Sequence, residues 1–341
     1  MSYWLLIVLA GCIALVLTGV LRRYAMVRKL LDMPNERSSH SRPTPRGGGM
    51  AIVLVFVSFM PVLRLFDVVS TEALWSLIGA GAGVALVGFW DDHRHIPARW
   101  RLLIHFAAAC WGVLLLGGLP PIPLFGSHYD LGWFGGLIAV TYLVWLINLY
   151  NFMDGINGIA GVEAVTVSLG GSLLYATSPA TGAEWVVPML LLAAVSGFLF
   201  WNFPTARIFM GDAGSGFIGI ILGLMSIQSA WIVPELFWGW IILLGVFITD
   251  ATVTLVRRLL QQQKIYQAHR SHAYQYASRK FGSHKPVTLA VGAINLFWLL
   301  PFALLVGLKL IDGILGMLAA YGPLLWLALQ LKAGASGHQE V

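Results

Sequence analysis

Apolar runs of about 18–20 residues recur along this chain from end to end, the length at which a helix matches a bilayer's hydrocarbon core. Lipid offers backbone groups no hydrogen-bond partners, so such a segment must satisfy its own amides, as a helix does. Membrane-spanning strands would show short alternating segments, and these runs do not alternate. With 58% hydrophobic and only 11% charged residues, a soluble class is excluded. The chain reads as an all-α polytopic membrane protein, one integral membrane domain over residues 1–341, with about 11 transmembrane helices. Their approximate limits are 3–21, 48–66, 73–90, 102–119, 134–151, 158–178, 185–203, 215–232, 237–256, 287–308 and 313–331.

The first run, Trp4 to Leu21, has no basic residue before it, and Arg22 and Arg23 follow it. A cleavable signal peptide has the reverse charge order, so this run reads as a retained helix with its N-terminus outside. When sides alternate along the chain, every Lys and Arg except Arg64 and Lys309 falls in one compartment. That bias places the N-terminus in the periplasm and the C-terminus in the cytoplasm. The net charge of +6 mainly reflects this bias, and it also gives the inner face an attraction for lipid headgroups or a phosphorylated substrate. No basic soluble domain exists, so nucleic acid is excluded as a partner. Cys12 and Cys110 each sit within an apolar run and read as small core residues.

Polar residues collect in the loops on the basic side, at about 22–47, 91–101, 152–157, 204–214 and 257–286. They carry "LDMPNERSSHSRPTPRGGG", "WDDHRHIPARWR", "NLYNFMDGINGIAG", "RIFMGDAGSGFIG" and "AHRSHAYQ". Four carboxylates, Asp91, Asp92, Asp154 and Asp212, leave or enter helices at one depth. Acids near lipid are costly and rarely kept without function, and four together repel unless a cation holds them. Mg²⁺ suits that task, taking oxygen ligands, few of them from protein, and leaving positions for water and phosphate. No Cys/His set stands at zinc spacing. The glycines around Asp212, just where a helix begins, read as a turn whose N–H groups approach a phosphate. Small residues packing helices together would give the same pattern.

Other polar residues have two readings each. Asn151 and Asn157 flank Asp154 and serve either a substrate or the turn itself, Asn157–Gly158 being a common turn pair. Arg37, His40, Arg42 and Arg46 bind substrate or enforce topology; His269, Arg270 and His272 contact substrate or lie on anionic lipid. Asp250 reads as a buried partner of Arg257 and Arg258, or as a support for the site. Glu163 remains open, and "PPIPLFGSHYDLGW" reads as a turn-rich outer connection without chemistry. An acidic, magnesium-bearing cluster on a membrane bundle fits phosphoryl transfer between a soluble nucleotide compound and a lipid. Such a reaction needs positioning and charge neutralisation above all.

Four stretches together resemble the polyprenyl-phosphate N-acetylhexosamine-1-phosphate transferases, the WecA/MraY superfamily. "LDMPNERSSHSRPTPRGGG" is similar to the WecA-branch D-x-P-N-x-R-x-x-H and P-x-x-G-G pattern. "DDHRHIPARWR" resembles the Asp-Asp loop, "NFMDGINGIAG" the N-x-x-D-G-x-x-G element, and "FMGDAGS" the element before a late helix. The agreement runs in order from about residue 30 to 290 and implies that UDP-N-acetylhexosamine and undecaprenyl phosphate give polyprenyl-diphospho-sugar and UMP. By the same resemblance Asp212 would bind Mg²⁺ (Mn²⁺ substituting) with Asp92 assisting, and Asp91 would deprotonate the lipid phosphate. An aspartate acting as covalent nucleophile is the alternative. Asp91, Asp92 and Asp154 form the implied catalytic set. Asn151, Asn157, His40, Arg46, His269, Arg270 and His272 form the implied substrate-binding set, with membrane lipid around them and a homodimer compatible with the pattern.

The departures bear on the sugar. WecA-type enzymes have Asp where this chain has Asn157, and their D-R-x-H-x-H-H becomes His269-Arg270-Ser271-His272-Ala273-Tyr274-Gln275. The resemblance therefore points to O-antigen initiation by a WbpL-like enzyme using N-acetylfucosamine, N-acetylquinovosamine or N-acetylglucosamine. A pocket built for a hydroxyl rejects a sugar lacking it. The alternatives are an MraY-like muramoyl-pentapeptide transferase and, more distantly, a transporter, whose polar residues would lie near the midplane instead.

Overall fold

The computed structural model describes residues 2–34, 42–94, 96–263 and 270–335. Every apolar run forms helix: α1 (Tyr3–Val27), α2 (Met50–Leu65), α3 (Thr71–His93), α4 (Ala98–Leu115), α5 (Gly132–Met153), α6 (Ile159–Tyr175), α7 (Val186–Asn202) and α8 (Asp212–Ile232). There follow α9 (Leu236–Leu243), α10 (Gly245–Leu260), α11 (Ala273–Lys280), α12 (His284–Ile294), α13 (Leu300–Gly307) and α14 (Gly313–Gln330). Among the described residues seven helices are long and apolar enough to cross a bilayer, counting α12–α13 as one, and the bent pair α9–α10 makes an eighth if it is one span. Three more, α2, α6 and α7, are apolar but have 16, 17 and 17 residues. Large apolar side chains cover the outside, among them Val16, Trp133 and Phe297 at 65%, 84% and 80% exposure. Water would not tolerate so much exposed apolar surface. This is a polytopic membrane protein, and its outer wall is made for lipid. Cys12 and Cys110 lie on that wall rather than in the core, since lipid receives a small apolar side chain as readily as protein does.

The centre of the bundle is α8, buried from Ala213 to Ile227. Gly216, Gly219 and Gly223 let α3 and α5 close on it, while Gly214 meets Gly49 at the start of α2. The run over 237–256 is two helices rather than one, bent by 67°. At the break the Ile241 carbonyl accepts the Tyr321 hydroxyl at 2.5 Å instead of an amide one turn on. The Glu163 carboxylate, fully buried on α6, faces the amide of Phe247, one of those released there. Glu163 also accepts the Asn295 amide at 2.6 Å, where α12 passes into the π-helical turn Asn295–Leu299 before α13. It supports the bend. The outer connection is a small hairpin, β3 (Ile122–Leu124) against β4 (Ser127–Tyr129), tied to Asp312 through the Phe125 N–H at 2.8 Å.

The opposite end of the bundle positions the polar residues. Here α3 and α5 end and α2 and α8 begin. The first loop is drawn in by β1 (Leu31–Asp32) paired with β2 (Thr44–Pro45). The Phe209 N–H donates to the Pro45 carbonyl at 2.8 Å, while the Gly48 and Gly49 N–H groups donate to the Phe209 and Met210 carbonyls at 2.9 Å. Two loops distant in sequence thus form one strip beside the start of α8.

Candidate active site

The longer α3 carries Asp91 and Asp92 on its last turn, not in the loop that follows. Asp92 is buried at 5% exposure and accepts the N–H groups of Asp212 at 3.2 Å and Ala213 at 3.5 Å. A carboxylate there meets the partial positive charge of a helix N-terminus. The surrounding glycines exist for this contact. Gly211 has φ +79, and a Cβ on it would lie 2.5 Å from Asp92 Oδ2, while a Cβ on Gly88 of α3 would lie 2.5 Å from the Ala213 nitrogen. The glycine-rich turn therefore admits a carboxylate of the protein rather than cradling a phosphate, which corrects the sequence reading. Asp92 fixes the backbone of Asp212 through these two contacts. Arg46 is the cation facing it.

Asp91 and Asp212 meet across Arg101 of α4. One guanidinium nitrogen, Nη1, donates to Asp91 Oδ2 in a short contact and to Asp212 Oδ2 at 3.1 Å. Asp91 Oδ1 takes the Ile96 N–H at 2.7 Å. Asp212 Oδ1 takes the Asn151 side-chain amide at 2.7 Å, and that amide also lies 3.4 Å from Ser215 Oγ. Two carboxylates, one arginine and one amide thus come from the ends of α3, α4, α5 and α8. Arg101 and Asn151 work as a clamp.

Asp154 follows α5 at the same end, half-buried, with Asp212 and Asp92 as the charges facing it. Burial first, then those two carboxylates, push its proton affinity well above the usual 3.8. A raised carboxyl contributes stability that is complete below its unfolded value and is lost as pH rises toward the folded one. Metal-free protein should accordingly lose thermal stability from about pH 4 upward, and Asp154→Asn should lessen that decline. Melting curves in detergent with a chelator will show it, and an unaltered slope in the variant would remove Asp154 as a source.

The remaining expected residues are less uniform. His40 and His269, with Arg37, lie outside the described residues. Arg42 is exposed. Asn157 gives its side-chain amide to the Pro204 carbonyl at 3.4 Å, and its own carbonyl takes the Thr288 hydroxyl at 2.8 Å, so it joins the turn to α12. Arg270 is exposed. His272, expected on the sugar-diphosphate, is buried at 3% exposure with Nδ1 3.3 Å from Asp250.

Asp250 is the residue whose role the sequence left most open. Its carboxylate takes the N–H groups of Ala273 at 2.9 Å and Tyr274 at 3.0 Å, which start α11, and the Thr254 hydroxyl at 3.1 Å. The Arg257 and Arg258 pairing is replaced by bonds to the Ala333 carbonyl and Ser271 Oγ. Tyr274, buried at 4% exposure, donates its hydroxyl to the Phe152 carbonyl at 2.9 Å. The Asp154 turn is thereby clipped to α11, and Tyr274 and Gln275 hold the loop instead of reading a substrate. The Gln275 side chain takes the His272 N–H at 3.3 Å.

A cavity of about 340 Å³ between α10, α11, α12 and α14 is almost wholly apolar and borders Asp250 and Tyr274. Size alone would make it the site, but the chemistry lies elsewhere, in a crevice of about 40 Å³ among Arg101, His105, Asn148, Asn151 and Asp212. Among the described residues no three His, Cys, Asp or Glu side chains form a metal-holding group by themselves. The donors present, two carboxylates and amide oxygens with no thiolate, still fit Mg²⁺, which needs only one or two carboxylates beside phosphate and water. Asp91 and Asp212 are the residues that would hold it.

Helix ends carrying paired carboxylates and an arginine, set into a lipid-facing bundle, define a membrane-embedded site suited to phosphorylated substrates. Residues 74–230 match the family described as glycosyl transferase family 4. A probable undecaprenyl-phosphate N-acetylglucosaminyl 1-phosphate transferase of Bacillus subtilis is 29% identical over 82% of this chain and 78% of its own length. The undecaprenyl-phosphate alpha-N-acetylglucosaminyl 1-phosphate transferase of Thermotoga maritima is 26% identical over 84% and 86%. A phospho-N-acetylmuramoyl-pentapeptide-transferase of Moorella thermoacetica is 31% identical over 65% and 74%. The chain belongs to the polyprenyl-phosphate N-acetylhexosamine-1-phosphate transferase family, the WecA/MraY superfamily.

Proposed function

We propose that the protein transfers N-acetylhexosamine-1-phosphate from a UDP-sugar to undecaprenyl phosphate, releasing UMP, and so begins O-antigen or another surface polysaccharide. The observation that carries this reading is the Asp91–Arg101–Asp212 cluster with its Asn151 clamp at the converging helix ends. An oxygen of the lipid phosphate attacks the sugar-bearing phosphorus, the bond to UMP breaks, and one phosphoanhydride replaces another. Asp91 and Asp212 would hold Mg²⁺, which would supply neutralisation of the diphosphate charge. Arg101 orients both carboxylates and presents a positive charge to the phosphates. Asp91 would take the proton of the lipid phosphate, with Asp154 as a further carboxylate at the same end of the bundle.

In this reading the chain crosses the bacterial inner membrane eleven times, N-terminus periplasmic and C-terminus cytoplasmic, with the site on the cytoplasmic face. The one-sided distribution of Lys and Arg supports that orientation. Sugar choice lies with the loop around His269 and Arg270. A second reading, transfer of phospho-N-acetylmuramoyl-pentapeptide, is favoured by the name of the Moorella relative. Purified protein with undecaprenyl phosphate, Mg²⁺ and a panel of UDP-sugars, UDP-N-acetylmuramoyl-pentapeptide included, decides between them. UMP release with sugar entering lipid is the expected result for at least one UDP-N-acetylhexosamine; release of UDP would sink the mechanism.

A further inference from the structure

The apolar cavity is separate from the polar crevice, and the two share no lining residue. α14 packs on α10 and α13, and α12 on α6 and α11, which leaves a slot between them. Its wall follows α12 from Pro286 to Ile294, about 12 Å at the rise of a helix. That depth is close to one leaflet's share of a hydrocarbon core about 30 Å thick. Phe281, Pro286 and Ala290 line the slot and are themselves exposed, so it opens on the outer wall.

Charge of one sign surrounds the slot at the end of the bundle that holds the carboxylates. Lys280 adjoins Phe281, Lys285 adjoins Pro286 and Lys332 adjoins Leu331, each an exposed lysine next to a residue of the lining. Lys332 reaches over the Tyr276 ring at 5.3 Å, which brings the end of α14 to α11. No Asp or Glu occurs from residue 270 to 311. Asp250, the acid on the wall, already faces the amides of Ala273 and Tyr274 and the Thr254 hydroxyl. α11 itself is amphipathic, with Ala273, Tyr274 and Ala277 on the slot and Arg279 and Lys280 exposed, the pattern of a helix lying in a membrane interface.

We infer that the slot seats one acyl chain of an anionic phospholipid, whose phosphate is held by Lys280, Lys285 and Lys332. An apolar slot one leaflet deep with lysines at its end matches such a lipid in both parts, chain and headgroup. This lipid is distinct from the polyprenyl acceptor, because the lysines stand on α11, α12 and the end of α14, whereas the Asp91–Arg101–Asp212 cluster stands on α3, α4 and α8. A seated chain completes the wall that includes Asp250 and Tyr274, and so braces α11. The lipid stabilises the protein whatever reaction the site performs.

The test is native mass spectrometry in detergent, with phosphatidylglycerol and phosphatidylcholine of equal chain length as probes, alongside melting curves. Wild type should retain one phosphatidylglycerol about tenfold more strongly than phosphatidylcholine, and its melting temperature should rise with it. Lys280→Gln combined with Lys285→Gln should weaken phosphatidylglycerol about tenfold, and both side chains are exposed, so the fold should tolerate the change. Ala290→Trp, which puts a ring into the slot, should lose both lipids; if that variant does not accumulate, the lysine pair carries the test. Equal retention of the two lipids by wild type, or unchanged phosphatidylglycerol retention in either variant, would overturn the inference. So would displacement of phosphatidylglycerol by an equimolar amount of undecaprenyl phosphate, which would give the slot to the tail of the acceptor. A wild type that releases no UMP alters none of these outcomes, since none depends on transfer.

Discussion

Asp212→Asn is expected to lower sugar-phosphate transfer by at least about a hundredfold, the scale on which losing one preorganised charge at a transferring phosphoryl group is felt, without lowering the melting temperature. Asparagine keeps an oxygen for the Asn151 amide, which Asp212 accepts at 2.7 Å. The cap on α8 uses the Asp212 backbone N–H, so it survives the change. Arg101 keeps Asp91 as its partner. What disappears is one negative charge from a group that includes Asp91, Asp92 and Asp154, and without a cation that loss relieves repulsion. Activity and stability should part company, as they do where a site holds like charges together for function. UMP release and melting curves in metal-free buffer measure the two. Near-normal turnover would remove Asp212 from the metal site; a large fall in melting temperature would make its role structural.

The sequence showed well where carboxylates leave the membrane, because hydropathy is a one-dimensional signal and a charge at the end of an apolar run stands out. Asp91, Asp154 and Asp212 could be grouped for that reason, and the helix ends carrying them do converge. It did not show what each acid faces. Asp92 lies next to Asp91 in sequence, but helical geometry turns it the other way, onto the amides of Asp212 and Ala213. Asp250 likewise faces the start of α11, and Glu163 the amide of Phe247 at the α9–α10 bend. Three buried acids thus meet helix starts contributed by other elements, contacts made between segments up to 121 residues apart. No local pattern encodes such pairs. An acid near lipid can thus hold a helix start, which the rule that such acids are functional does not foresee. The bend in the run over 237–256 was hidden for the same reason, since the Tyr321 hydroxyl that stabilises it comes from α14.

Asp250→Ala is the substitution expected to cost the most stability, about 3–5 kcal/mol, the range for removing one partner of a buried charged network. The carboxylate meets two backbone amides, the His272 ring and the Thr254 hydroxyl, and alanine leaves all four without it. Freed at its start, α11 no longer holds Tyr274 in place. The Tyr274 hydroxyl then leaves the Phe152 carbonyl, and the turn carrying Asp154 loses its anchor. Transfer should therefore fall together with the melting temperature, in contrast to the Asp212 variant, where only transfer falls. Asp250→Asn retains an oxygen for one amide and should lie between Asp250→Ala and wild type. Tyr274→Phe separates the two consequences, since it keeps the ring and the α11 cap while removing the clip. It should lose about 1 kcal/mol of stability but a larger share of turnover. Melting temperatures and UMP release across the three variants test this order. A stable, active Asp250→Ala protein would show that α11 holds its place without the carboxylate and that the Asp154 turn does not depend on it.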